Sequence, residues 1–98
     1  MNKAQAIEQL RNDADIIRRM GVTGLYLFGS TARDEDTAAS DLDLFIDYDA
    51  KRRFSLIDLV GIKQFLEETM SADVDITTRD SLHPMLKDDI ERNAIRVF

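Results

Sequence analysis

The sequence predicts an α/β (α+β) domain built on a small mixed β-sheet flanked by helices. Two observations carry that expectation. Stretches with apolar residues at helical spacing alternate along the chain with short runs of strand character. The 98 residues contain no repeat, linker or low-complexity tract, so residues 1–98 are expected to form one domain around one core.

Residues 3–20 read as a first helix, because Ile7, Leu10, Ala14 and Ile17 share a face and leave Glu8, Arg11 and Arg18 outside. Gly21 is a natural stop for it. Leu25, Tyr26, Leu27 and Phe28 form an unbroken apolar run between glycines, the pattern of a strand buried on both faces. Gly29-Ser30-Thr31-Ala32-Arg33 reads as a tight turn into one or two helical turns, and residues 34–40 as polar loop. "SDLDLFIDYD" then alternates, with Leu42, Leu44 and Ile46 on one face and Asp41, Asp43 and Phe45 on the other.

Ser55-x-x-Asp58 resembles a capping box and opens a helix to about Met70, with Leu59, Ile62, Leu66 and Met70 as its stripe. "ADVDITT" is a third strand. Ser81 to Pro84 begins a last helix ending near Asn93, and "AIRVF" offers a short terminal strand. His83 beside Pro84 suits a capping or surface role, and Tyr26 and Phe28 read as core. Tyr48 suits rim packing or stacking on a base.

Composition narrows the function. There is no cysteine, which excludes thiolate catalysis, disulfides and cysteine zinc sites and fits a reducing cytoplasm. The first twenty residues are too charged for a signal peptide, and no apolar run approaches membrane-spanning length. A net charge of −6 argues against direct nucleic-acid binding, which needs a cationic face. From Asp34 to Asp49 the carboxylates accumulate without a lysine or arginine among them. Lys51-Arg52-Arg53 follows, suited to a triphosphate, to a partner's acids, or simply to a solvated loop.

Asp41 and Asp43 are two residues apart on a strand, so both project from one face, roughly 7 Å apart along the chain. Carboxylates this close repel. A hard cation removes the conflict, and Mg²⁺ binds through one or two carboxylates plus substrate phosphates. Asp75, flanked by Val74 and Ile76, is the candidate third acid, with Asp73 as the fallback. Three such acids can hold two metals about 4 Å apart, the arrangement used in phosphoryl transfer. By itself the D-x-D pattern also fits an exposed strand face with solvated acids. Gly29-Ser30 allows close approach of a phosphate to backbone amides at a helix start, or a plain strand-to-helix turn with serine as N-cap.

Taken together, Gly29-Ser30, ten intervening residues, Asp41-Leu42-Asp43 and the downstream acid resemble the DNA polymerase β-like nucleotidyltransferase superfamily. The fuller "LFGSTAR…SDLDLFI" resembles its minimal nucleotidyltransferase (MNT) branch, and the resemblance spans nearly the whole chain. It implies the nucleotidyltransferase fold. It implies that Gly29 and Ser30 hold nucleotide phosphates, and that Arg33 contacts phosphate or supports the loop, unless it simply pairs with a nearby acid such as Asp36. It implies that Asp41, Asp43 and Asp75 are the catalytic, metal-binding set for two Mg²⁺ ions, with ATP as substrate. Asp34 stands where small members often carry glycine, a departure that removes no metal ligand.

Larger relatives append domains that hold the acceptor, whereas this chain stops soon after the third acid. MNT proteins commonly occur with small helical HEPN RNase toxins. The expectation is therefore an antitoxin of a toxin–antitoxin pair that transfers AMP from ATP to a HEPN tyrosine, by in-line attack of the hydroxyl on the α-phosphorus. Two other readings are a non-catalytic antitoxin acting by occlusion and an enzyme modifying a small hydroxylated molecule. Either a homo-oligomer or a hetero-oligomer fits the apolar helix faces.

Overall fold

The computed structural model describes residues 2–32 and 42–98, with the backbone alone described at Ser30. Helices α1 (Lys3–Asn12) and α2 (Ala14–Arg19) lead into strand β1 (Val22–Phe28) and the single turn α3 (Gly29–Ala32). Strand β2 (Leu42–Tyr48), helix α4 (Leu56–Met70) and strand β3 (Val74–Thr78) follow. A 3₁₀ turn at Arg79–Ser81, helix α5 (Pro84–Asn93) and the short strand β4 (Ile95–Arg96) complete the chain. The sheet order is β3-β2-β1-β4. β1 is antiparallel to β2 and β4, and β2 is parallel to β3, so the sheet is mixed as expected.

Local signals set the element ends. Asn2 and Gln5 form a capping box at α1, and Ser55 and Asp58 form the predicted one at α4, with the Ser55 amide donating to Asp58 Oδ2 at 2.8 Å. Gly21 takes φ +107° just past α2, the left-handed conformation that ends helices cheaply only at glycine. His83 caps α5, its Nδ1 accepting from the Met85 amide at 3.2 Å. The expected single first helix is broken. Asp13 leaves helical geometry at φ −93°, ψ 4°, and its amide is shared between the Gln9 and Leu10 carbonyls. The bend still turns Ala6, Leu10, Ala14 and Ile17 onto the core.

The two sheet faces differ. Leu25, Leu27, Leu42, Leu44, Ile46, Val74 and Ile76 form one face, sealed by Leu10 and Ile17 from α1 and α2 and by Ile62, Leu66 and Met70 from α4. Full burial of each leucine contributes about 2 kcal/mol. The expectation that β1 is buried on both faces needs correction. Its other face carries Tyr26 and Phe28, which are half-buried. No helix of the core cluster covers them; an aromatic layer does that work. Tyr26 stacks on Phe45 with ring centres 4.7 Å apart, and Phe28 tilts against Phe45 at 5.8 Å. Phe45 is buried beneath this layer.

Candidate active site

The open face is built by alternation. Asp43, Phe45 and Asp47 point from β2, and register places Asp75 opposite Asp43 and Thr77 opposite Phe45 on β3. Phe28 on β1 lies opposite Asp43 from the other side. Neighbouring strands are about 4.8 Å apart, so the Asp43 and Asp75 carboxylates emerge side by side from one face. Like charges directly across a ladder destabilise a sheet. Asp43 is half-buried and Asp75 exposed. Asp75 makes no hydrogen bond or ion pair with the described residues.

Gly29 lies immediately beyond Phe28, at φ +75°. A Cβ there would run into the Asp43 carboxylate. The missing side chain is therefore the space that the Asp43 carboxylate occupies. Glycine is needed twice at this position, for its left-handed backbone and for that close approach. Ser30 follows in α3, and Thr31 and Ala32 are buried behind it. The structure thus brings together Gly29, Asp43 and Asp75. Asp41 and Arg33 lie outside the described residues. Asp73, the fallback acid, precedes β3; its carbonyl accepts from the Leu42 amide and its side chain is exposed.

The donor set fits a hard divalent cation. Two carboxylates converge from adjacent strands, one of them seated in a cradle that a Cβ would fill. Among the described residues no group of three potential ligands assembles, and Asp41, also predicted to be a metal ligand, is not among them.

At the far end of the same face the acids are already neutralised. Arg79 donates to both Asp47 oxygens, at 2.8 and 3.0 Å, and also pairs with Glu91 of α5. Its guanidinium lies 4.8 Å from the Tyr26 ring centre and 5.0 Å from that of Phe45, which roofs the aromatic layer. The Arg79 hydrogen bonds hold the Asp47 carboxyl below the ordinary aspartate range, against the opposing pull of partial burial. The same bonds push the Arg79 guanidinium up. Sequence reasoning missed this clamp, though period two along Asp75, Thr77 and Arg79 was the available signal.

Tyr48 sits beyond Asp47 and takes the rim role. It stacks on Phe54 at 5.0 Å, and its hydroxyl donates to Asp80 at 2.8 Å. It stands five residues from Asp43, about 17 Å along β2, which separates it from a base bound at the acids.

Comparison with known proteins agrees with this architecture. A family model described as nucleotidyltransferase domain matches residues 7–97. A Methanocaldococcus jannaschii chain bearing the provisional name protein adenylyltransferase is 40% identical over 83 residues, covering 85% of this chain and 87% of that one. A solved structure, described provisionally as a minimal nucleotidyltransferase, superposes with a TM-score of 0.83 at 30% identity, covering 97% and 95% of the two chains. The fold also recurs, at 21% identity and a TM-score of 0.63 over 92% and 71% of the chains, in a structure of a tri-AMPylated Shewanella oneidensis HEPN toxin with its MNT antitoxin. The fold, the paired acids on the open face and the match along nearly the whole chain agree, and this protein belongs to the nucleotidyltransferase domain family, among its minimal members.

Proposed function

We propose that this protein transfers AMP from ATP to a tyrosine hydroxyl of a HEPN-type toxin and so acts as its antitoxin. The observation that carries the reading is the in-register pairing of Asp43 and Asp75 beside a glycine that leaves room for the Asp43 carboxylate. Two facing carboxylates on the open face of a sheet make an oxygen donor set that a cation–nucleotide complex can occupy. The similarity to chains named as protein adenylyltransferases supports protein as the acceptor. The likeness to the antitoxin of the Shewanella pair supports a HEPN partner.

In this reading Asp41, Asp43 and Asp75 hold Mg²⁺, two ions in the loaded site. The metal supplies charge neutralisation of the triphosphate and polarisation of the α-phosphoryl group. The chain's own residues do the rest. Gly29 and Ser30, with Arg33, hold phosphate oxygens at the start of α3. Asp75, on the exposed edge, takes the proton of the acceptor hydroxyl. The tyrosine oxygen then bonds to the α-phosphorus, the bond from that phosphorus to the bridging oxygen breaks, and pyrophosphate departs. Most of the rate comes from positioning and charge stabilisation.

The test incubates purified protein with α-labelled ATP, Mg²⁺ and a co-expressed HEPN partner, with Asp43→Asn alongside. Label on the partner with wild type alone is the expected result. Equal labelling by Asp43→Asn refutes the site. A partner that stays inhibited without label replaces catalysis with occlusion.

A further inference from the structure

The end of the sheet remote from Asp43 carries a second feature that nucleotide transfer leaves unused. A concave cleft of about 290 Å³ opens between the α2–β1 turn and the start of α4. Arg19, Arg52 and Arg53 line it, together with Ile57, Asp58 and Gly61. In a chain of net charge −6, these three exposed arginines have no acidic side chain bonded to them among the described residues. Asp58, the one acid lining the cleft, is occupied by the Ser55 cap. The basic run cannot serve a triphosphate at the acids. It follows Tyr48, and Tyr48 is already about 17 Å along β2 from Asp43.

Apolar surface continues from the cleft along α4. Leu56, Ile57 and Val60 are 74%, 82% and 45% exposed. Gly61 sits mid-helix between these rows, and a Cβ added there would meet nothing within 4 Å. Glycine in a helix interior costs about 1 kcal/mol relative to alanine. Here it leaves an open floor onto which another backbone can settle.

We infer that this cleft and the exposed row of α4 dock an acidic, apolar-sided helix of the protein that receives AMP, which rests on the reading above. Charge complementarity selects the occupant. Glutamates or aspartates of such a helix meet Arg19, Arg52 and Arg53, while its apolar side covers Leu56, Ile57 and Val60. A second copy of this chain would set arginine against arginine if paired about a two-fold axis, a costly juxtaposition. An anionic membrane would meet a concave site with Asp58 in its wall rather than a flat basic surface. Docking at this end holds the acceptor protein while leaving the face around Asp43 and Asp75 open to the reacting segment.

The probe is a synthetic helical peptide with leucines on one face and glutamates on its flanks, paired with a counterpart in which the glutamates are lysines. Amide shifts in the protein are followed by NMR. The glutamate peptide is expected to move residues 52–61 and leave Asp43 and Asp75 in place, and the lysine peptide to move none. Arg52→Glu/Arg53→Glu should weaken the glutamate peptide by about tenfold or more, as should Gly61→Leu, which fills the open floor without touching the core. Equal shifts from both peptides, or none from either, overturn the proposal. So does selective binding of wild type to phosphatidylserine vesicles in place of the peptide.

A second readout separates this proposal from the enzymatic one. In AMP transfer to the HEPN partner, the arginine variant should raise the KM for that protein by about tenfold and keep kcat. Transfer with an unchanged KM overturns the docking site and leaves the activity standing. Absence of transfer by wild type overturns the activity, and the peptide titration still decides the cleft.

Discussion

The two faces of one sheet, made from the same strands, do opposite work. Leu42, Leu44 and Ile46 of β2 lie in a sealed apolar core, while Asp43, Phe45 and Asp47 between them stand on a face no core helix covers. On the first face, neighbours are interchangeable within limits of volume and shape. On the second, each residue has a specific partner: Asp75 for Asp43, the aromatic stack for Phe45, Arg79 for Asp47. A strand two residues in period keeps stability and chemistry on adjacent positions without mixing them.

Asp43 and Leu44, adjacent on β2, separate the two faces most sharply. Asp43→Asn, which keeps the size and shape of the side chain, should reduce AMP transfer to background while its urea midpoint stays close to that of wild type. Leu44→Ala should cost about 2–5 kcal/mol, out of a total of about 5–15 kcal/mol for a small domain. The fraction that remains folded should bind nucleotide normally. Urea unfolding beside an ATP titration reads both. If Leu44→Ala damages binding more than stability, the faces are coupled and their separation fails.

That separation also explains what was legible in advance. Alternation in "SDLDLFID" located both faces of β2, and the caps at Ser55 and Gly21 marked element ends, because these signals are local. The break at Asp13 was not legible, since the apolar spacing on either side of it continues unbroken. Nor was the one-sided burial of Tyr26 and Phe28. An apolar run looks the same whether a helix or a layer of aromatic rings and Arg79 covers it. Of the candidate site, the Asp43–Asp75 pairing depends on β2 and β3 being parallel and in register, which spacing within either strand does not encode. Alternation around Val74 and Ile76 offered Asp75 as a candidate with Asp73 as the fallback, and the resemblance to a known family added its role.

Gly29 and Gly61 differ as the two faces do, one beside the acids and one in open space. Gly29→Ala places a methyl group against the Asp43 carboxylate and forces a left-handed backbone on a residue that resists it, a strain of about 1–2 kcal/mol. Its loss of kcat should exceed what that destabilisation explains at a temperature where the variant is fully folded. Gly61→Ala meets open space in a helix interior and should raise stability by about 1 kcal/mol, read as a higher urea midpoint. If both alanine variants moved stability by the same amount and in the same direction, Gly29 would be an ordinary turn glycine and its link to Asp43 incidental.

The smallest expected effect lies at the far end of the open face, where Asp47 meets Arg79. The folded carboxyl titrates below its unfolded value of 3.8, chiefly because Arg79 donates to it. Well above pH 3.8 aspartate is ionised in both states, and the pair contributes fully. As the pH falls below 3.8, the unfolded chain takes up its proton first, which draws the equilibrium toward unfolding. Once the pH passes the folded value the contribution is gone. About a third of the carboxylate side chain is solvated, so screening keeps the effect small. Urea midpoints at pH 6 and pH 3 should therefore differ slightly less in Asp47→Asn than in wild type. A wild-type slope that survives Asp47→Asn unchanged would assign the acid sensitivity to other carboxylates.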